Sequence, residues 1–137
     1  MGEYMKAQEH FGKAMGIFDE AKQKDGVPVA NTNPIQIFGL QFNLGITMMK
    51  SNRLDDAFTH LAYARKLLDT KIHEMSSADL EQFGFDKMAN RVNVLVNLAL
   101  VQQKKELFSE ALENARSALA LVPKNLKIKQ LVEKIEN

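Results

Sequence analysis

The chain has 137 residues, of which 45% are hydrophobic and 26% charged; this suits one folded domain and excludes the charge-rich, hydrophobe-poor signature of disorder. A formal net charge of +1 gives no bulk attraction to nucleic acid, so an electrostatic partner has to be read by a local patch. The absence of cysteine removes disulfide frameworks, thiolate zinc sites and cysteine nucleophiles together.

Apolar residues recur three and four apart along nearly the whole chain, with little β-branched alternation, and this predicts an all-α protein. The first predicted helix covers 3–24 and carries Tyr4, Phe11, Met15 and Phe18. Residues 25–34, with Gly26, Pro28 and Pro34 among capping polar residues, form a loop. Helices follow over 35–50 and 54–75, separated by the Ser51-Asn52 break, with Asp55 and Asp56 placed to favour the second helix's N-terminus. Ser76, with Asp79 three residues on, reads as an N-cap opening a helix over 78–105, inside which Gly84 is a weak point. Helices over 108–121 and 125–136 complete the chain, with Pro123 between them.

Self-comparison finds an internal repeat. From Val92 to Asn125, the positions Leu95, Leu98, Ala99, Phe108, Ala111, Ala115, Ala118 and Pro123 alternate large, small and turn-ending residues. Upstream, Asn43-Leu44-Gly45, Asn52, Leu54, Ala57, Leu61 and Ala64 repeat the pattern, and Gly2, Tyr4, Ala7, Phe11 and Ala14 repeat its second half. Small residues at Gly45, Ala57, Ala64, Ala99, Ala111 and Ala118 permit close helix approach, and each helix pair needs a neighbour to bury its face.

This pattern resembles the tetratricopeptide repeat, with Leu95 and Ala115 standing where that family has aromatics, Ala99 for its glycine and Gln102 for its tyrosine. The resemblance implies a right-handed superhelical stack of antiparallel helix pairs in a single domain, 1–137. Its parts are the second helix of a first repeat (2–25), a repeat at 38–71, a repeat at 92–125 and a capping helix at 125–136. The residues between repeats are expected to lengthen the helices so that they protrude from the stack. A generic helical bundle is the competing architecture.

In that family the first helix of each repeat lines a concave groove that receives a peptide. The corresponding residues here are Phe42, Asn43, Ile46, Met49 and Lys50, then Asn93, Val96, Asn97, Leu100, Gln103 and Lys104, with Lys127, Gln130 and Lys134 from the last helix. Asparagine both donates to and accepts from a peptide backbone, and lysine answers carboxylates, so the expected partner is a protein segment with apolar anchors and acidic groups. The competing reading makes these residues ordinary solvated helix faces. Asn43 matches one element of the clamp with which co-chaperones of this family hold acidic tails, but Asn93 and Asn97 replace its lysine and arginine. His10 and His60 share a place in successive second helices and are expected on the convex face, as surface residues more than as metal ligands.

No phosphate loop, His-Glu metal helix or serine elbow occurs in the sequence, and no cofactor is expected. A scaffold, adaptor or co-chaperone is therefore expected, with no enzymatic activity; the alternative is a structural subunit docking through protruding helices near Ile72, Met75, Phe83 and Phe85. No apolar run reaches the ~20 residues of a bilayer span, and residues 1–6 lack a signal peptide's apolar core, so a cytoplasmic molecule without membrane insertion is expected. Lys6 stands where a myristoylation motif needs Ser or Thr. The helix at 3–24 is expected to have its apolar face covered by a second copy, another chain or an upstream helix of a larger parent protein.

Overall fold

The computed structural model describes residues 33–137. The predicted helix 3–24, its apolar face and His10 lie outside the described residues. Those described form six helices and no strands: α1 (Pro34–Lys50), α2 (Leu54–Asp69), α3 (Ser77–Gln82), α4 (Lys87–Lys104), α5 (Phe108–Leu121) and α6 (Leu126–Glu136). The protein is all-α over this span. The chain divides into two compact units, the first ending at Ile72 and the second running His73–Asn137.

In the first unit α1 and α2 form an antiparallel hairpin. Asn33 caps α1, its side chain accepting from the Ile35 amide at 2.8 Å, and Pro34 follows where its missing N–H costs nothing. The Asp55 and Asp56 carboxylates occupy the first turn of α2, whose capping residue Arg53 supplies no side-chain bond; their charge favours the positive end of the helix. Arg53 holds Asp56 at 2.7 Å. α1 buries Phe38, Leu44 and Met48, and α2 buries Ala57, Leu61, Ala64 and Leu68. Their closest approach is at Gly45, where an added Cβ would lie 2.6 Å from Leu61 Cγ and 2.8 Å from its Cδ2.

In the second unit α4 and α5 form the corresponding hairpin, and α6 packs on α5. Ala99, Ala111 and Ala115 are fully buried together with Val132 and Ile135 of α6. A second cluster joins Val92, Leu95, Ala118 and Ile128. Asn125 caps α6, accepting from the Ile128 amide at 3.1 Å.

The turns inside the two hairpins are the same structure. The Arg53 amide donates to Met48 O at 2.8 Å and the Leu107 amide to Gln102 O at 2.8 Å, while Asn52 and Glu106 adopt left-handed φ values of 62° and 64°. This six-residue closure around one left-handed residue satisfies the last helical carbonyls. Glutamate is an unusual occupant of that position, since a side chain there crowds its own carbonyl.

The insertion between the repeats departs from expectation. α2 stops at Asp69, short of 75, because the Ile72 amide turns back to Leu67 O at 2.9 Å and carries the Ile72 side chain into complete burial. The expected helix 78–105 is broken in two. Gly84, at φ 62°, closes α3 through Phe85 N–H to Leu80 O at 2.9 Å, and Asp86 restarts the chain by capping α4 through the Ala89 amide at 3.0 Å. The insertion is thus a turn and a short helix, not a pair of lengthened helices. Only modest extension exists elsewhere: α1 begins at Pro34 and α4 at Lys87, each slightly ahead of its repeat. Buried Ile72 is unavailable for docking.

Two stability measurements test these packing and turn assignments. Gly45→Ala is expected to destabilise by about 1 kcal/mol, an overpacking cost of ~1–3 kcal/mol less a helix-propensity gain of ~1 kcal/mol. In a Leu61→Ala background the same change stabilises, and a denaturant double-mutant cycle reads this reversal of sign. At the turns, Glu106→Gly is expected to raise stability by about 0.5–1 kcal/mol and Gly84→Ala to lower it by about 1 kcal/mol, as shifts of the denaturation midpoint.

Candidate functional site

Two faces carry the sequence-predicted binding residues. On α1, Asn43 and Lys50 are exposed, whereas Phe42, Ile46 and Met49 are half-buried. Phe42 stacks on buried Phe38 one turn earlier, with ring centroids 6.0 Å apart and planes 12° from parallel. Such a pair holds the exposed edge of Phe42 in place.

On α4, Val96 and Leu100 lie one turn apart and face α6. Together with Lys127, Ile128, Gln130, Leu131 and Lys134 they line a groove of about 310 Å³. The structure thus gathers Val96, Leu100, Lys127, Gln130 and Lys134 from the sequence-predicted set into one site. Ile128 and Leu131, which supply much of its apolar floor, were missed; their helical spacing with Val132 and Ile135 marks them only as the core side of α6. Both lysines that line it are exposed, and long basic side chains can lay their stems along apolar surface while the charge stays in water.

Asn93 lies elsewhere, in a separate hollow of about 350 Å³ with Met88, Val92, Val122 and Asn125. Asn97 is half-buried, and its amide group donates to Asn93 O at 2.7 Å, so one of its two donors serves its own helix. Gln103 is half-buried and Lys104 exposed at the end of α4, one turn beyond Leu100.

Polar pairs lie behind both hairpins. Asn114 Nδ2 donates to Gln102 Oε1 at 2.7 Å with both side chains buried. In the first unit His60, at the corresponding position of α2, donates from Nδ1 to the Oε1 of buried Gln41 at 2.7 Å. His60 is half-buried, and its imidazole reaches from α2 to Gln41 of α1. Burial pushes its pKa below the ordinary 6.5, and the Asp56 carboxylate works in the opposite direction. His73 is exposed. Among the described residues no three His, Cys, Asp or Glu side chains gather to hold a metal ion.

No family model and no curated relative matches this chain. Among the described residues no helix is long and apolar enough to cross a membrane.

The His60 environment makes a signed prediction. Because the folded state disfavours imidazolium, its contribution to stability is complete above pH 6.5 and is lost as pH falls through the lower folded pKa. Thermal melts of the parent chain and of His60→Asn, which carries the residue found at position 114, are expected to differ in slope between pH 7 and pH 5. The parent should lose more stability over that interval; parallel curves would refute the assignment.

Proposed function

We propose that this chain is a protein-binding scaffold or adaptor of the tetratricopeptide kind, not an enzyme, and that it holds a peptide segment of a partner protein along its first-helix faces. The observation that carries this reading is the groove between α4 and α6, where Val96, Leu100, Ile128 and Leu131 offer an apolar trough bordered by Lys127 and Lys134. An apolar trough with few polar groups at its rim is the form that peptide and ligand sites take. The family likeness is supported by two hairpins with the same left-handed turn at Asn52 and Glu106 and with small residues at corresponding helix contacts. The right-handed superhelix belongs to the same proposal. The α1 face bearing Phe42, Asn43, Ile46, Met49 and Lys50 is the corresponding surface of the first unit.

A second reading, a structural subunit of a larger assembly, draws on the insertion. Phe83 and Met88 are 50% and 56% exposed, and a hollow nearby is lined by Met75, Leu80, Phe85 and Met88. Exposed apolar residues gathered in this way mark contact surfaces.

One experiment separates the two. A peptide array is probed with the parent chain, with Val96→Asp/Leu100→Asp, and with Phe83→Ser/Met88→Ser, circular dichroism reporting the fold of each. Groove binding predicts at least a tenfold loss of peptide capture for the first variant and none for the second. The opposite pattern selects the insertion surface.

A further inference from the structure

The α4–α6 groove has a charge pattern that specifies its occupant more narrowly. On α6, Lys127, Gln130, Leu131 and Lys134 follow one another at spacings of three, one and three residues and all line the groove. They form a single stripe, since residues so spaced share a helix face. Neither lysine forms an ion pair among the described residues. The groove lining contains no carboxylate. Glu133, next to Lys134 in the sequence, is exposed and does not line the groove, and Glu136 pairs with Arg116 of α5 at 3.3 Å. Lys104 adds a further exposed cation one turn past Leu100 on α4.

We propose that this groove receives an amphipathic α-helix from a partner protein, carrying two apolar residues flanked by carboxylates seven positions apart, in the order acid, two spacers, two aliphatics, two spacers, acid. This rests on the peptide-binding reading above and adds the conformation and charge of the ligand. Spacing decides between conformations. Lys127 and Lys134 are seven residues apart, so their attachment points are about 10.5 Å apart along the helix axis. A facing helix repeats this interval with acids at i and i+7. An extended strand places same-side residues at multiples of about 6.6–6.8 Å, so its acids fall well short of the second lysine or well beyond it. The trough between two helices also accepts a third helix as ridges enter grooves, with the aliphatics at i+3 and i+4 seated on Val96, Leu100, Ile128 and Leu131. The partner stripe, acid-x-x-Leu-Leu-x-x-acid, complements Lys127-x-x-Gln130-Leu131-x-x-Lys134 in sign and period.

The test uses fluorescein-labelled 16-residue peptides in an alanine–glutamine host, lactam-stapled to hold the helix, titrated into the full chain by anisotropy. One carries Glu-x-x-Leu-Leu-x-x-Glu and one carries Lys in place of Glu. A third keeps the glutamates and leucines of the first, omits the staple and has one central host residue replaced by a proline that breaks the helix. The acidic helix is expected to bind at least tenfold tighter than either control, and its affinity to fall with added salt. Lys127→Glu/Lys134→Glu should invert the preference in favour of the lysine peptide, and Lys127→Gln/Lys134→Gln should abolish it without inversion. Both lysines are exposed, so circular dichroism should be unchanged. Equal binding of the proline peptide would overturn the helical conformation, and an unaltered preference in both lysine variants would overturn the charge pairing. If extended peptides on the array are captured through Val96 and Leu100 while the stapled helix is not, this inference fails and the broader proposal stands. Capture of neither overturns both.

Discussion

The close contact of helices within each hairpin is the constraint on which the rest of the structure depends. In the first hairpin a glycine on α1 admits a leucine from α2, with no room for even one more carbon. In the second, alanines on α4 and α5 meet and leave space that Val132 and Ile135 of α6 complete. Near contact of backbones lets a three-residue turn close each pair, and that turn in turn needs a left-handed residue at Asn52 and Glu106. A larger side chain at either contact would spread the helices and oblige the turn to change with them.

The groove follows from this packing. α6 rests on the small-residue face of α5 through Val132 and Ile135, with Ile128 tied to Val92 and Leu95. Committing that side of α6 to the core leaves Lys127, Gln130 and Lys134 along its other edge. Val96 and Leu100 remain half-buried, too apolar for a purely solvated face and too open for a closed core. Shape and charge at the site are thus by-products of where α6 spends its hydrophobic stripe.

Much of this was legible in the sequence because it depends on local spacing. The 3.6-residue period and the small residues at Gly45, Ala57, Ala99 and Ala111 placed α1, α5, α6 and the hairpin contacts to within a residue or so. What was not legible depends on signals acting against the period. The insertion keeps a helical pattern of apolar residues, yet Gly84 followed by Asp86 both ends one helix and caps the next. Ile72 continues the apolar spacing of α2 but reaches its buried place only by leaving the helix. At the candidate site, helix-face reasoning selected Val96, Leu100 and Lys127, which line one groove, whereas Asn93 lines a different hollow and Asn97 engages its own backbone. His60 looked like a surface residue because nothing local announces Gln41, nineteen positions away.

The buried amide of Asn114 has a consequence for alignment. A face built of alanines at 111, 115 and 118 looks almost the same after a shift of one helical turn, so dispersion forces alone would tolerate α5 sliding along α4. The bond to Gln102 exists at one offset only, and any slip would strand two desolvated amides. It acts as a vernier mark on an otherwise smooth scale. His60 and Gln41 make the equivalent mark in the first hairpin with different chemistry, reading the offset from the opposite side of the small residue on the facing helix. Two hairpins of like shape are thereby keyed each to its own partner helix, and a second helix from one would find no matching notch on the first helix of the other.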